Sequence, residues 1–367
     1  MPNETVLLTG LPTLLARRVA DRLLASTDSR IVAVVRDKFL DEATAFRDEL
    51  PEGQRERLTL LEGDAAAMDL GLSGLEYLRL AREVDVIHHT AQVTYMGVDE
   101  KAAELVNVRG AREALELARA ADHLRLLVHY STAYVSGDRR GVVLESELDE
   151  GQKPRNVVEG TKLRAEKLVQ RATDVRSVVL RPSTIVGDSR TGEVDRLDGP
   201  YLLVLLLLTS PAEVALPFPT FPDAKMHLVP VDWVAAAAVA IANDPRAVGQ
   251  TFHLVDPDPP TVRRVAEMLA SATGRREPRG FIPANVARAI LRAPGLDRIA
   301  SSPRAFLDQL GTDVRFDARN AQALLSGTGL VVPAIESYVD ALVQHVRTRL
   351  ADGRRVREQA ESEDPLS

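Results

Sequence analysis

Thr5-Val6-Leu7-Leu8 is a continuous apolar run. Thr9-Gly10 follows it, and Leu15, Val19 and Leu23 then recur at helical spacing. A run that is apolar without alternation is a strand buried on both faces. Strand, glycine turn and helix in that order present free N–H groups and a partial positive charge to an anion. The pattern repeats along the chain. Ile31-Val32-Ala33-Val34-Val35, Leu58-Thr59-Leu60-Leu61, Val84-Asp85-Val86-Ile87, a run ending at His129-Tyr130-Ser131-Thr132, and Ser177 to Leu180 all read as strands. Helical segments lie between them, among them 101–121, with Leu105, Val108, Ala111, Leu115 and Ala118 on one face, and 157–171.

Alternation of this kind predicts an α/β protein, a Rossmann-like doubly wound parallel sheet. Right-handed crossovers carry the loops that follow the strands to one edge. Gly10, Arg36, Asp64, Ala91, Thr132 and Pro182 all follow strands, so they are expected to converge there, where ligands bind in such folds. After Gly187 the texture changes to Pro, Gly and a Leu-rich run, before Val231-Asp232 opens an Ala-rich helix and Thr251 to Val255 reads as one more strand. The expected division is a dinucleotide-binding domain over 1–185, with 226–256 returning to it. A smaller substrate lobe covers 186–225 and 257–350, and a charged, flexible tail covers 351–367.

Composition excludes several functions. Net charge is −7, which argues against a nucleic-acid partner, since such partners leave a basic footprint. No cysteine is present, so disulfides, thiol nucleophiles and thiolate metal sites are ruled out, and no metal is expected. The run Tyr201 to Leu208 is too short to span a bilayer, and no signal segment precedes the first strand; cytoplasm is the expected compartment. If helical, that run is apolar all round. It reads first as a buried core helix, then as a wall against a lipophilic substrate or a peripheral membrane contact.

Seven pieces, in order and spacing, carry a resemblance: Thr9-Gly10, Gly63-Asp64, Ile87-His88-His89-Thr90-Ala91, Asn107-Val108-Arg109-Gly110, Ser131-Thr132-Ala133-Tyr134-Val135, Lys162 and Leu180-Arg181-Pro182. Over about residues 4–260 the chain resembles the extended short-chain dehydrogenase/reductase family, in the branch of fatty acyl and thioester reductases. The resemblance implies a nicotinamide cofactor contacted by Thr9, Gly10, Thr13, Leu14, Leu15, Arg36, Asp64, Thr90, Ala91, Lys162 and Pro182. Lys162 would bind the ribose, Thr132 would orient the substrate oxygen with Ser131 as its fallback, and Asn107 would hold backbone and water near Lys162. Gln92, Tyr95, Tyr134, Val158 and Tyr201 would line the substrate site. Arg36 stands where NAD-binding members carry an acid and suits a 2′-phosphate, so NADPH is favoured over NADH. The helices at 101–121 and 157–171 imply a homodimer.

The chain departs from the family pattern at three places. Val158 holds the position of the catalytic Tyr, four residues before Lys162, and cannot transfer a proton. Thr13 holds the second glycine of the Gly-x-x-Gly-x-x-Gly turn, with Ala16 at the third, and Thr90 replaces a usual Ala. The first reading is an NAD(P)H-dependent reductase of a carbonyl-like group on a hydrophobic acyl or polyketide-type molecule, its proton coming from water or from Tyr95, Tyr134 or Tyr201. Two readings compete with it: a catalytically inactive binding partner on the same fold, and a lyase or isomerase. Lys162 also has a bland alternative, a surface pair with Glu166 one turn on.

Overall fold

The computed structural model describes residues 4–95, 97–209, 223–277 and 313–363. Its strands are β1 (Thr5–Thr9), β2 (Arg30–Val35), β3 (Leu58–Glu62), β4 (Val86–His89), β5 (Leu126–Tyr130), β6 (Gly141–Val143), β7 (Ser177–Pro182), β8 (Thr184–Val186), β9 (Leu228–Pro230), β10 (Thr251–Leu254) and β11 (Val314–Phe316). Seven of them form one sheet in the order β10-β7-β5-β4-β1-β2-β3. Every pairing in it is parallel. The fold is therefore the expected Rossmann-like α/β sheet. β1 and β5 are buried along their whole length, which is why their sequences show no polar alternation. The edge strand β3 exposes Thr59 and Glu62. The strand read from the sequence at Val84–Ile87 begins instead at Val86 and ends at His89.

Two apolar layers cover the sheet. On one face the helices Leu14–Ser26, Val231–Ala242 and Arg319–Leu325 bury Val19, Leu23, Val234, Ala238, Leu324 and Leu325. On the other, Gly74–Glu83, Gly110–Ala120 and Val157–Arg171 supply Leu80, Leu115, Leu117 and Val169. The segment read as one helix over 101–121 is helical throughout, but a π turn over Glu104–Arg109 joins Glu100–Ala103 to Gly110–Ala120. Such turns re-aim side chains and are common near functional sites.

The chain divides into two units. The first holds residues 1–185, 227–258 and 312–332; the second holds 186–226, 259–311 and 333–367. Residues 312–332, read from sequence as part of the lobe, go to the sheet-bearing unit: β11 pairs with β6, and the Glu145 carboxylate accepts the N–H groups of His253, Asn320 and Ala321. In the second unit, the helices Tyr201–Thr209, Val262–Thr273 and Val339–Glu363 pack on one another. The apolar run is thus a helix that buries Tyr201, Leu202, Val204, Leu205 and Leu207. The last of these helices continues past Ala351, where the sequence reading placed a flexible tail. The Pro-rich stretch over 210–222, the helical pattern over 278–312 and residues 364–367 lie outside the described residues.

Candidate active site

Because β1, β4, β5 and β7 are parallel neighbours, their C-terminal ends lie along one edge of the sheet. Thr9-Gly10, Thr90-Ala91, Ser131-Thr132 and Pro182 stand at those ends. Thr9 Oγ1 accepts the Ala91 N–H at 3.1 Å and pairs with His89 Nδ1 at 3.1 Å. Thr90 Oγ1 donates to Thr9 O at 2.5 Å. Thr90 therefore turns its extra bulk back onto the β1 backbone, tying the two strand ends together. Gly10 has φ 98°. A Cβ there would stand 2.7 Å from Thr90 Oγ1 and 2.9 Å from Ala91 N, so only glycine fits.

Thr13 is the N-cap of the first helix. Its side chain is exposed and accepts the Ala16 N–H at 3.4 Å, while its own N–H bonds Gly10 O. The threonine in the second glycine position thus caps the helix end without filling the turn. Leu14 and Leu15 are buried, and the first helical turn carries no acidic side chain. These residues fit a pyrophosphate: the turn has no Cβ at its tightest point, the first helical turn brings no carboxylate of its own, and a hydroxyl stands at its mouth. Gly10→Ala is expected to destabilise the protein by about 2 kcal/mol or more, from positive-φ strain and displacement of residues 90–91. Urea denaturation checks this.

Arg36, at the end of β2, pairs its Nε with Asp64 Oδ2 at 3.3 Å, and both side chains are partly exposed. The Asp64 carboxylate also accepts the Ala66 N–H, at its Oδ1, at 3.0 Å. Parallel pairing of β2 with β3 brings the two strand ends together.

Lys162 is 3% exposed. Its Nζ donates to Tyr130 O at 2.8 Å and to the Gln92 side-chain oxygen. Burial pushes its pKa down to about 7, against the opposing charge of Glu166. The expected alternative, a surface Lys162–Glu166 pair, is absent. Glu166 is fully buried and pairs with buried Arg181, Oε1 to Nη2 at 2.6 Å. It also accepts Ser131 Oγ at 2.5 Å and Gln170 Nε2 at 3.0 Å. Ser131 is thereby committed to the carboxylate, and Thr132 is left as the hydroxyl beside it. Thr132 Oγ1 donates to Pro182 O at 3.4 Å and accepts the Tyr134 N–H at 3.3 Å.

Asn107, in the π turn, is buried. Its side chain brackets the Val93 backbone, accepting the N–H at 2.8 Å and donating to O at 3.1 Å, and donates to Thr161 Oγ1 at 2.9 Å. It fixes the loop carrying Gln92 against the helix carrying Lys162, where the sequence reading had it holding backbone and water near Lys162. Val158, half-buried, lies one turn before Lys162. Tyr134 OH meets Thr184 Oγ1 at 3.1 Å, its ring lies edge-on to Phe316, and the Arg155 guanidinium stands 5.5 Å over it. Tyr95 is half-buried in the loop after β4. Tyr201 belongs to the second unit, where its hydroxyl accepts the Gly187 N–H at 2.7 Å. The sequence reading did not foresee the Glu166–Arg181 pair. Both residues were visible, but only the sheet order brings them together.

Fold and strand-end edge together define a dinucleotide-binding domain of Rossmann type. The family model described as male sterility protein, an NAD-binding family, matches residues 8–238, and the chain belongs to that family. It falls in the extended short-chain dehydrogenase/reductase group, in the branch of fatty acyl-CoA reductases and terminal reductase domains. Glycine betaine reductase ATRR of Emericella nidulans is 30% identical over 75% of this chain and 23% of its own length. Fatty acyl-CoA reductase wat of Drosophila melanogaster is 27% identical over 58% of this chain and 46% of its own. The chain therefore spans less than half the length of these relatives. The terminal R domain from the myxalamid PKS-NRPS biosynthetic pathway superposes with a TM-score of 0.80 at 26% identity, covering 95% of this chain and 92% of that one.

Proposed function

We propose that this chain is an NAD(P)H-dependent reductase of acyl thioesters or the aldehydes derived from them. The observation that carries the reading is Lys162. It is a buried ammonium fixed to the end of β5 and to the loop after β4, on the same edge as the Gly10 turn. Gly10, Thr13, Leu14, Leu15 and Ala91 would hold the pyrophosphate and the adjoining sugar, Lys162 the nicotinamide ribose, and Pro182 the ring. The bound nicotinamide supplies a hydride. Thr132 orients the acyl oxygen, and Gln92, Tyr95, Tyr134 and Val158 contact the acyl portion. Arg36 favours a 2′-phosphate and hence NADPH, once that phosphate displaces Asp64 from it. The compartment is cytoplasmic and the assembly a homodimer in this reading. Among the described residues, no helix is long and apolar enough to cross a membrane.

Calorimetric titration with NADPH and NADH, followed by stopped-flow loss of nicotinamide absorbance with acyl thioesters, tests this. Dinucleotide binding with thioester-dependent oxidation is expected. Binding without turnover would favour an inactive partner protein instead. Lys162→Met is expected to weaken dinucleotide binding by about 10- to 100-fold, the worth of a charged hydrogen bond, as read by the same titration.

A further inference from the structure

A reductase needs a proton for the oxygen that receives the electron pair, and position 158 is a valine. We propose that Lys162 itself is the acid: its ammonium gives the substrate oxygen the proton that a tyrosine at position 158 would have given. This rests on the reductase reading above and names a group for a role that reading leaves open.

The geometry singles out Lys162. A buried lysine is normally neutralised by a carboxylate, and Glu166, one turn away, is the obvious candidate. Arg181, Ser131 and Gln170 occupy Glu166 instead. The two acceptors on Lys162 Nζ are neutral oxygens, the Tyr130 carbonyl and the Gln92 amide. An ammonium has three donors: Tyr130 O keeps one, the ribose takes over the one that Gln92 now holds, and the third is left for a substrate oxygen, directly or through one water. The other groups facing it do not compete for its proton. His89 on β4 and His129 on β5 are buried and neutral, their pKa values lowered by burial and by Lys162 itself. Two tyrosines are engaged elsewhere: Tyr130 OH with His88 Nδ1, and Tyr134 OH with Thr184. Burial brings the Lys162 pKa to about 7, the range in which a general acid works best.

The step balances. Hydride adds to the acyl carbon and the carbonyl π pair moves to oxygen. That oxygen takes a proton from the Lys162 ammonium, and solvent returns one to the amine. With a thioester, the resulting hemithioacetal expels thiol and leaves an aldehyde. The hydride donor leaves oxidised.

Three readouts test the proposal. In the protein without cofactor, NMR titration of labelled lysine ε-carbons is expected to show one lysine titrating at about 7, and Lys162→Met should remove that signal. If every lysine titrates near the ordinary value of ~10.4, the proposal falls. In the wild type, kcat should decline on the alkaline side of neutrality; a flat profile there overturns the idea. Lys162→Arg keeps the cation but cannot give up a proton. It should bind NADPH within a few-fold of wild type and lose about 10²-fold or more in kcat. Adding Val158→Tyr to that variant should recover part of the loss. Full turnover by Lys162→Arg, or an alkaline decline that disappears in Tyr134→Phe but persists in Lys162→Arg, assigns the proton elsewhere. A wild type that binds no dinucleotide defeats the reductase reading, while the NMR titration still reports on Lys162.

Discussion

Lowering the pH from about 7 to about 5 is expected to destabilise this protein by several kcal/mol, through histidines that the fold holds neutral. His88 and His89 are completely buried, and burial pushes both pKa values down to about 3. Burial lowers His253 to about 3 as well, aided by the charge of Arg181. His129 is also buried, and its value lies well below the ordinary one. Neither ring nitrogen of His129 has a hydrogen-bond partner, so nothing stabilises its doubly protonated, charged form. In the unfolded chain each histidine titrates near ~6.5. The unfolded state therefore binds protons that the folded state refuses. This contribution is complete above that value and is lost progressively as pH falls toward the folded values. At about pH 5 each of the first three is worth roughly 2 kcal/mol. Urea midpoints measured across this range check it, and His88→Gln or His253→Asn should flatten the decline. A midpoint unchanged down to about pH 5 would mean that the histidines protonate in the native state. Lys162 acts at the other end: its lowered value leaves a burial cost that is relieved as pH rises from about 7 toward 10.5.

The parallel sheet could be read from the chain because its strands lack alternation. β1, β2 and β5 are buried on both faces, and only such a strand tolerates Val6-Leu7-Leu8 or Leu126-Leu127-Val128 unbroken. Once the sheet is parallel, the shared edge of Gly10, Ala91, Thr132 and Pro182 follows from chirality alone. What could not be read depends on contacts distant in sequence. β6 and β11 have only three residues each and show no period. Their pairing joins Gly141 to Val314, so residues 312–332 looked like part of the lobe. Glu145 gave no local sign that its carboxylate would collect three N–H groups from two distant segments. The same limit applied at the site. Spacing put Glu166 on the Lys162 face of a helix. That Arg181 would take it follows only from β7 lying beside β5 beneath that helix.

That pair is expected to be the most sensitive single point in the described structure. Removing one member of a buried ion pair leaves an uncompensated charge and costs about 3–5 kcal/mol, whereas replacing both by apolar side chains can be close to neutral. Glu166 and Arg181 are both fully buried and joined at 2.6 Å, and Arg181 also reaches His253 Nε2 at 3.3 Å and Glu145 O at 3.4 Å. Glu166→Leu should therefore lower unfolding stability by about 3–5 kcal/mol, and Arg181→Met by a similar amount. Glu166→Leu combined with Arg181→Met should lose clearly less than the sum of the two single losses. Urea denaturation of the four proteins closes the cycle, and simple additivity would show that the pair is not coupled. The milder Glu166→Gln separates stability from chemistry. It keeps a side chain that can bond Ser131 and removes the charge that raises the Lys162 pKa. The lysine titration should then move below neutrality, carrying the alkaline decline of kcat with it. A decline that stays in place while stability falls would confine the pair to a structural role.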